Sequence, residues 1–260
     1  MMMFLHVFNS EWRKKKRSLA SWLVVLGAFF TPVIVTIARL VNYESLPQIY
    51  ASDRFWNLLW SSSWESMAIF LLPLGVILAT SLVTQLEYKN NTWKQVHTLP
   101  VGFTTIFFAK LMVIVVMMLQ FFVLFNIGIY LSGVLPCLLV PDIPYPTQPI
   151  PFQYFIKENA LFFIDCLPII ALQYLISLQF RNFLVPVGAG FALWVGSLAA
   201  LSWKFGYVIP YTYGMLHYLK DNPGGKVILP LVNVHVLAVG YFVGITLVGY
   251  VLYRTKKDKS

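Results

Sequence analysis

Charge is what this sequence has least of. Asp, Glu, Lys and Arg make up only 11% of its 260 residues, less than half their usual share in a soluble domain. A water-soluble fold needs a polar shell over its core, and there is too little here to build one. Cysteine is scarce as well: Cys137 and Cys166 are the only two, too few for a disulfide scaffold, and the different depths expected for them argue against their pairing. No G-x-x-x-x-G-K-[ST] loop occurs, so the chain does not hydrolyse ATP through that device. No H-E-x-x-H occurs either, and His6, His97, His217 and His235 lie on separate segments, so no metal site is expected. Paired intramembrane carboxylates are missing, which weighs against an acid–base hydrolase or transferase. No inverted repeat relates the halves, which weighs against a repeat-built secondary transporter. No basic tract is interleaved with stacking aromatics, so no nucleic-acid partner is expected.

What is there is apolar length. The chain is 58% hydrophobic, with a mean hydropathy of +0.72. Windows 18–38, 66–86, 111–141, 182–203 and 227–253 contain no charged residue, and window 159–180 is broken only by Asp165. About 20 helical residues cross a bilayer core. The sequence therefore predicts an all-α membrane protein, one transmembrane domain over 1–260, with six spans at about 18–38, 66–86, 105–135, 159–180, 183–202 and 231–253. The first apolar run is too long for a cleavable signal core and no small-x-small site follows it, so it should remain as a signal anchor. If the N-terminus is cytoplasmic, 13 of the 19 Lys and Arg residues fall inside, which places both termini in the cytoplasm. The formal charge of +9 is then mostly a topology signal.

Phe4, Phe8 and Trp12 recur every four residues before the W-R-K-K-K-R run, the pattern of an interfacial helix on membrane lipids. Trp56, Trp60 and Trp64 repeat the same spacing before span two and suggest an aromatic belt at the outer interface; a stripe touching an amphipathic substrate is the alternative. Gln120 and Asn126 should face other helices and not lipid. The six prolines from Pro136 to Pro151 should form an extended, stiff strap over the outer face. Asp165 is the one intramembrane acid, a candidate polar residue of a pathway or an acid bonded to a neighbouring helix. In span five, Gly188, Ala192, Gly196 and Ala200 draw a small-residue stripe for close packing, within the chain or against a second copy. Between spans five and six, the proline-marked stretch W-K-F-G-Y-V-I-P-Y-T-Y-G predicts one or two short external helices.

One passage stands apart, L-E-Y-K-N-N-T-W-K-Q-V-H-T-L-P-V at 86–101. Thr92 and Gln95 form a capping box, so a short helix should start at Trp93 and stop before Pro100. It would carry Trp93, Val96 and Leu99 near helical spacing, with Lys94 and His97 among them, between spans two and three. Glu87 would face the negative end of its helix dipole, an arrangement a cation on a partner would relieve.

This passage, with F-A-K-L at the mouth of span three, resembles the loop between the second and third helices of type-2 ABC exporter permeases. The matching positions are Glu87, Thr92, Trp93, Lys94, Leu99, Pro100 and Lys110. The N-terminal segment with Glu11, the six spans and the external I-P-Y fit the same family, and the nearest variety is the bacterial lantibiotic-immunity and antimicrobial-peptide export permeases. The resemblance implies that Glu87, Thr92, Trp93, Lys94, Val96, Leu99 and Pro100 form a coupling segment that meets a separate ABC ATPase. It also implies ATP and Mg on that partner with no cofactor on this chain, and a second permease copy or a related permease. A path near the dimer interface formed by spans one, two and five, and a place in the bacterial plasma membrane, follow from it too. The expected function is ATP-driven export of an amphipathic substrate such as a peptide, lipid or antibiotic. The alternatives are an intramembrane lipid- or peptide-modifying enzyme with Asp165 as its acid, and a non-transporting scaffold subunit.

Overall fold

A computed structural model describes residues 2–16, 18–89, 102–141, 143–221 and 227–255, the side chains of 87–89 excepted. Helix α1 (Met2–Lys15) precedes α2 (Leu19–Val41), the short α3 (Leu46–Tyr50) and α4 (Phe55–Ser66). A π-helical turn, Met67–Leu71, joins α4 to α5 (Leu72–Lys89). After these come α6 (Phe103–Leu139), α7 (Phe152–Gln179), α8 (Leu184–Ala200), two 3₁₀ turns (Gly206–Val208 and Pro210–Thr212), α9 (Tyr213–Asp221) and α10 (Val234–Thr255). Among the described residues, five helices are long and apolar enough to cross a membrane, and α8 is a shorter sixth. The chain is thus an all-α, multi-pass membrane protein of about six spans.

Span two is longer than its uncharged window of 66–86, because α4, the π turn and α5 form one helical run from Phe55 to Leu86. Glu65 ends the window but not the helix, its side chain exposed on the helix surface. A π turn leaves backbone carbonyls out of the regular ladder, and one of them is used: Trp194 Nε1 of α8 donates to the Ile69 carbonyl at 3.0 Å.

α2 runs beside and parallel to α6. A Cβ on Gly27 would touch Phe121, and one on Gly128 would lie 2.7 Å from the Pro32 ring. α7 packs along α10, and α5 lies between α7 and α8 on one side and α2 on the other. The N-terminal helix is seated on α6, with Glu11 and Lys15 buried. Lys15 Nζ donates to Gln120 Oε1 at 3.1 Å and lies 3.8 Å from the Trp12 ring centre, while Lys14 pairs with Glu11. Asn126 and Asn159 exchange amide hydrogen bonds of 2.8 and 3.0 Å between α6 and α7. Both intramembrane amides therefore face protein, as lipid requires.

The tryptophan stripe is not an interfacial belt. Trp56, Trp60 and Trp64 are at most 4% exposed, stacked into the core beside Tyr130, Phe155 and Phe162. A spacing of four marks one face of a helix, and that face turns inward here because α6 and α7 cover it. The strap is held against this face: Trp56 Nε1 donates to the Gln148 carbonyl at 2.9 Å, and Gln148 Nε2 donates to Asp53 Oδ1 at 2.8 Å. Cys137 and Cys166 are free thiols.

Candidate functional site: a buried carboxylate–imidazole cluster

Glu158, Phe162 and Asp165 recur at i, i+4 and i+7 on α7, so they line one helix face. His217 of α9 lies on that face, its ring stacked on Phe162 with centroids 4.2 Å apart. It bridges the two acids, with Nε2 2.9 Å from Glu158 Oε2 and Nδ1 3.0 Å from Asp165 Oδ2. His235, the second residue of α10, places Nδ1 2.7 Å from the other oxygen of Asp165. Asn233 fixes that residue by capping α10, its side-chain oxygen 3.0 Å from the His235 backbone N–H. Three elements thus converge on one carboxylate.

The cluster is shielded. Side-chain exposure is 1% for Asp165, 8% for Glu158, 6% for His217 and 22% for His235. Burial alone would pull the His217 pKa down, but the hydrogen bonds and charges of Asp165 and Glu158 outweigh it and raise the pKa above the ordinary imidazole value. The arrangement therefore favours a cation between the two acids. Beside it opens a cavity of about 550 Å3, lined by Glu158 and His217 together with Arg54, Trp60, Tyr154 and Asp221.

The helix α9 is held in place by the turn before it. Gly206 approaches the end of α8 so closely that a Cβ would lie 2.2 Å from the Ala200 carbonyl oxygen. Thr212 Oγ1 donates back to the Gly206 and Ile209 carbonyls at 3.1 and 2.8 Å. Tyr218 OH then donates to the Ser61 carbonyl at 3.3 Å, which ties α9 to α4.

Asp165 was the polar residue singled out by sequence, but its partners were not. His217 and His235 lie 52 and 70 positions further on, beyond any local spacing rule. The available signal was topological, since both histidines fall on the same predicted side of the membrane as the start of span four.

The remaining sequence candidates lie elsewhere. Thr92, Trp93, Lys94, Val96, Leu99 and Pro100 lie outside the described residues, and Glu87 is on the last turn of α5 with its side chain outside them. Lys110 is buried in α6. On α8, Gly188, Ala192 and Gly196 face away from the chain, and a Cβ on either glycine would meet nothing within 4 Å. Packing within the chain uses the other face, Pro186, Gly190, Trp194, Ser197 and the buried Ala200. Grooves of about 370 Å3 between α2 and α5, beside Gly27 and Gly75, of about 710 Å3 between α6 and α7, and of about 560 Å3 between α7 and α10 also mark the outer surface.

No curated protein matches the chain. Residues 7–197 match the family described as ABC-2 family transporter protein. That stretch runs from the N-terminal helix through most of α8 and includes Glu158 and Asp165 but not the two histidines. With nearly three quarters of the sequence matched and an all-α bundle of about six spans around it, the chain belongs to the ABC-2 transporter family and is a transmembrane subunit of an ABC transporter.

Proposed function

We propose that this chain is the permease of an ATP-driven exporter that passes an amphipathic substrate, such as a peptide, lipid or antibiotic, out across the bacterial plasma membrane. A separate ABC ATPase, carrying ATP and Mg, meets the segment from Glu87 to Pro100, and both termini are cytoplasmic. Closure of the ATPase pair moves this segment, and α5 and α6 on either side of it carry the motion into the bundle. A second permease copy, or a related one, packs on the side formed by α2, α5 and α8.

The observation that carries the substrate class is the groove between α6 and α7. Its walls are apolar, built from Trp56, Phe122, Tyr130 and Phe155, and it contains the paired amides of Asn126 and Asn159. Such a surface suits a molecule with a long apolar part and a few hydrogen-bonding groups. The open small-residue face of α8 supports the second copy, because glycine and alanine let helix backbones approach closely in lipid.

The test is to purify the tagged full-length chain from its native membrane in mild detergent, identify what accompanies it, and assay ATP hydrolysis. An ABC ATPase that co-purifies and is lost with Glu87→Ala and Trp93→Ala together is the expected result. A chain that comes out alone, without hydrolysis, under conditions that keep other membrane complexes intact would contradict the proposal.

A further inference from the structure

The cluster on α7, α9 and α10 gathers two carboxylates and two imidazoles in one shielded site. Glu158 and Asp165 are both within hydrogen-bond distance of imidazole nitrogens. Three of the four side chains are at most 8% exposed. An uncompensated buried charge is costly. A divalent cation would balance both carboxylates.

The donor set suits such an ion. Asp165, His217 and His235 each offer a ligand atom, and these atoms lie within 4.8 Å of one another. Glu158, an acceptor when ionised, takes the Nε2 proton of His217 at 2.9 Å. His217 then turns its other ring nitrogen, Nδ1, to Asp165 Oδ2 at 3.0 Å, the side on which an ion would sit. A carboxylate on the far nitrogen of a ligating histidine is also the usual orienting arrangement at metal sites. Ligand atoms around a tetrahedral zinc are separated by about 3.3 Å, given bonds of about 2.0 Å. The separations of 3.0 and 2.7 Å reach different oxygens of Asp165; around one ion they would open slightly, while the widest separation, up to 4.8 Å, would close by about 1.5 Å.

We propose that Asp165, His217 and His235 bind a divalent borderline transition metal, Zn2+ in particular, with Glu158 as the residue that orients His217. Nitrogen and carboxylate donors of this kind favour zinc over calcium or magnesium. Three protein ligands leave a fourth position for water or a ligand group. The ion would clamp α9 between α7 and α10, the same helix that forms one wall of the 550 Å3 cavity. This site is independent of the ATPase and of the substrate assigned above.

The experiment uses the full-length chain in detergent with Zn2+ alone as the probe. Equilibrium dialysis with metal analysis should show stoichiometric retention, and Zn2+ should raise the thermal midpoint while a chelator lowers it. Glu158→Gln should weaken retention by about tenfold to a hundredfold, and Asp165→Asn more. His235→Gln keeps the test open if those variants fail to fold, because its ring is partly exposed at the first turn of α10. Co2+ in place of Zn2+ should give the d–d absorption of a four-coordinate site in wild type, altered or lost in His235→Gln. The proposal is overturned if wild type retains no Zn2+ and its midpoint ignores both metal and chelator. It is equally overturned if Zn2+ is retained to the same extent by wild type, Asp165→Asn and His235→Gln.

Discussion

Gln173 and Asp165 sit two turns apart on the same helix, each at the centre of a buried polar cluster. Around Gln173 everything is neutral: its amide donates to Ser81 Oγ at 2.8 Å and to the Pro186 carbonyl at 2.7 Å, Ser177 lies 3.3 Å from Ser81, and Tyr211 donates to the Gln173 carbonyl oxygen at 3.4 Å. Donors and acceptors match, so this cluster is satisfied by its own residues and joins α5, α7 and α8. Around Asp165 the geometry is as close, but two carboxylates share two imidazoles. That cluster needs a cation from outside the chain, a proton or a metal ion. The neutral cluster acts as a fixed joint, whereas the charged one responds to its surroundings.

The largest expected effect comes from breaking the charged side. Asp165→Ala leaves His217 bound only to Glu158 and His235 without its partner, and losing one member of a buried charged network costs about 3–5 kcal/mol. Thermal unfolding in detergent should show the largest fall of the set. On the neutral side, Gly190→Ala would put a Cβ 2.5 Å from Gln173 Oε1 and 2.9 Å from Ile77 Cγ2. Overpacking of this kind costs about 1–3 kcal/mol, and the same assay reads it. Gln173→Leu removes the amide but keeps its bulk. Because side-chain hydrogen bonds between membrane helices are worth about 0.6 kcal/mol and at most about 1.7, the loss should be small beside that of Asp165→Ala. If the two substitutions cost the same, the distinction between a self-satisfied and a cation-dependent cluster fails. The smallest effect belongs to Gly188→Ala: nothing lies within 4 Å of the new Cβ, so stability of the single chain should stay within about 0.5 kcal/mol.

Much of the scaffold was legible from the sequence because the bilayer imposes so simple a rule. Long stretches without charge became helices: α2 and α6 fill nearly all of the windows that announced them, while α10 starts at Val234, inside its 227–253 window. The exceptions show where that rule stops. Span two starts at Phe55 because an exposed Glu65 is tolerated at the helix surface, something an uncharged window cannot anticipate. The tryptophan stripe marked a helix face correctly, but periodicity says nothing of what covers the face, and α6 and α7 buried it. Ala200 ended on the packed side of α8 while Gly188, Ala192 and Gly196 did not, because a repeat of four drifts around a helix of 3.6 residues per turn.

The candidate site was the least legible part. Asp165 stood out as an acid in an apolar window, whereas Glu158 lay just outside that window and the two histidines arrive from a short helix and a helix start. Their convergence depends on Gly206 letting the 201–212 stretch fold back onto the end of α8 and on Asn233 capping α10. Neither carries a motif.

The most direct test of the transporter reading joins the open face of α8 to nucleotide. With Cys137 and Cys166 replaced by serine, Gly196→Cys should form a disulfide between copies in native membranes. Its yield should change when ATP and vanadate trap the partner ATPase, and that change should vanish in Trp93→Ala. No crosslink between copies, or a crosslink indifferent to nucleotide while the ATPase remains bound and active, would contradict a permease pair driven through the 87–100 segment.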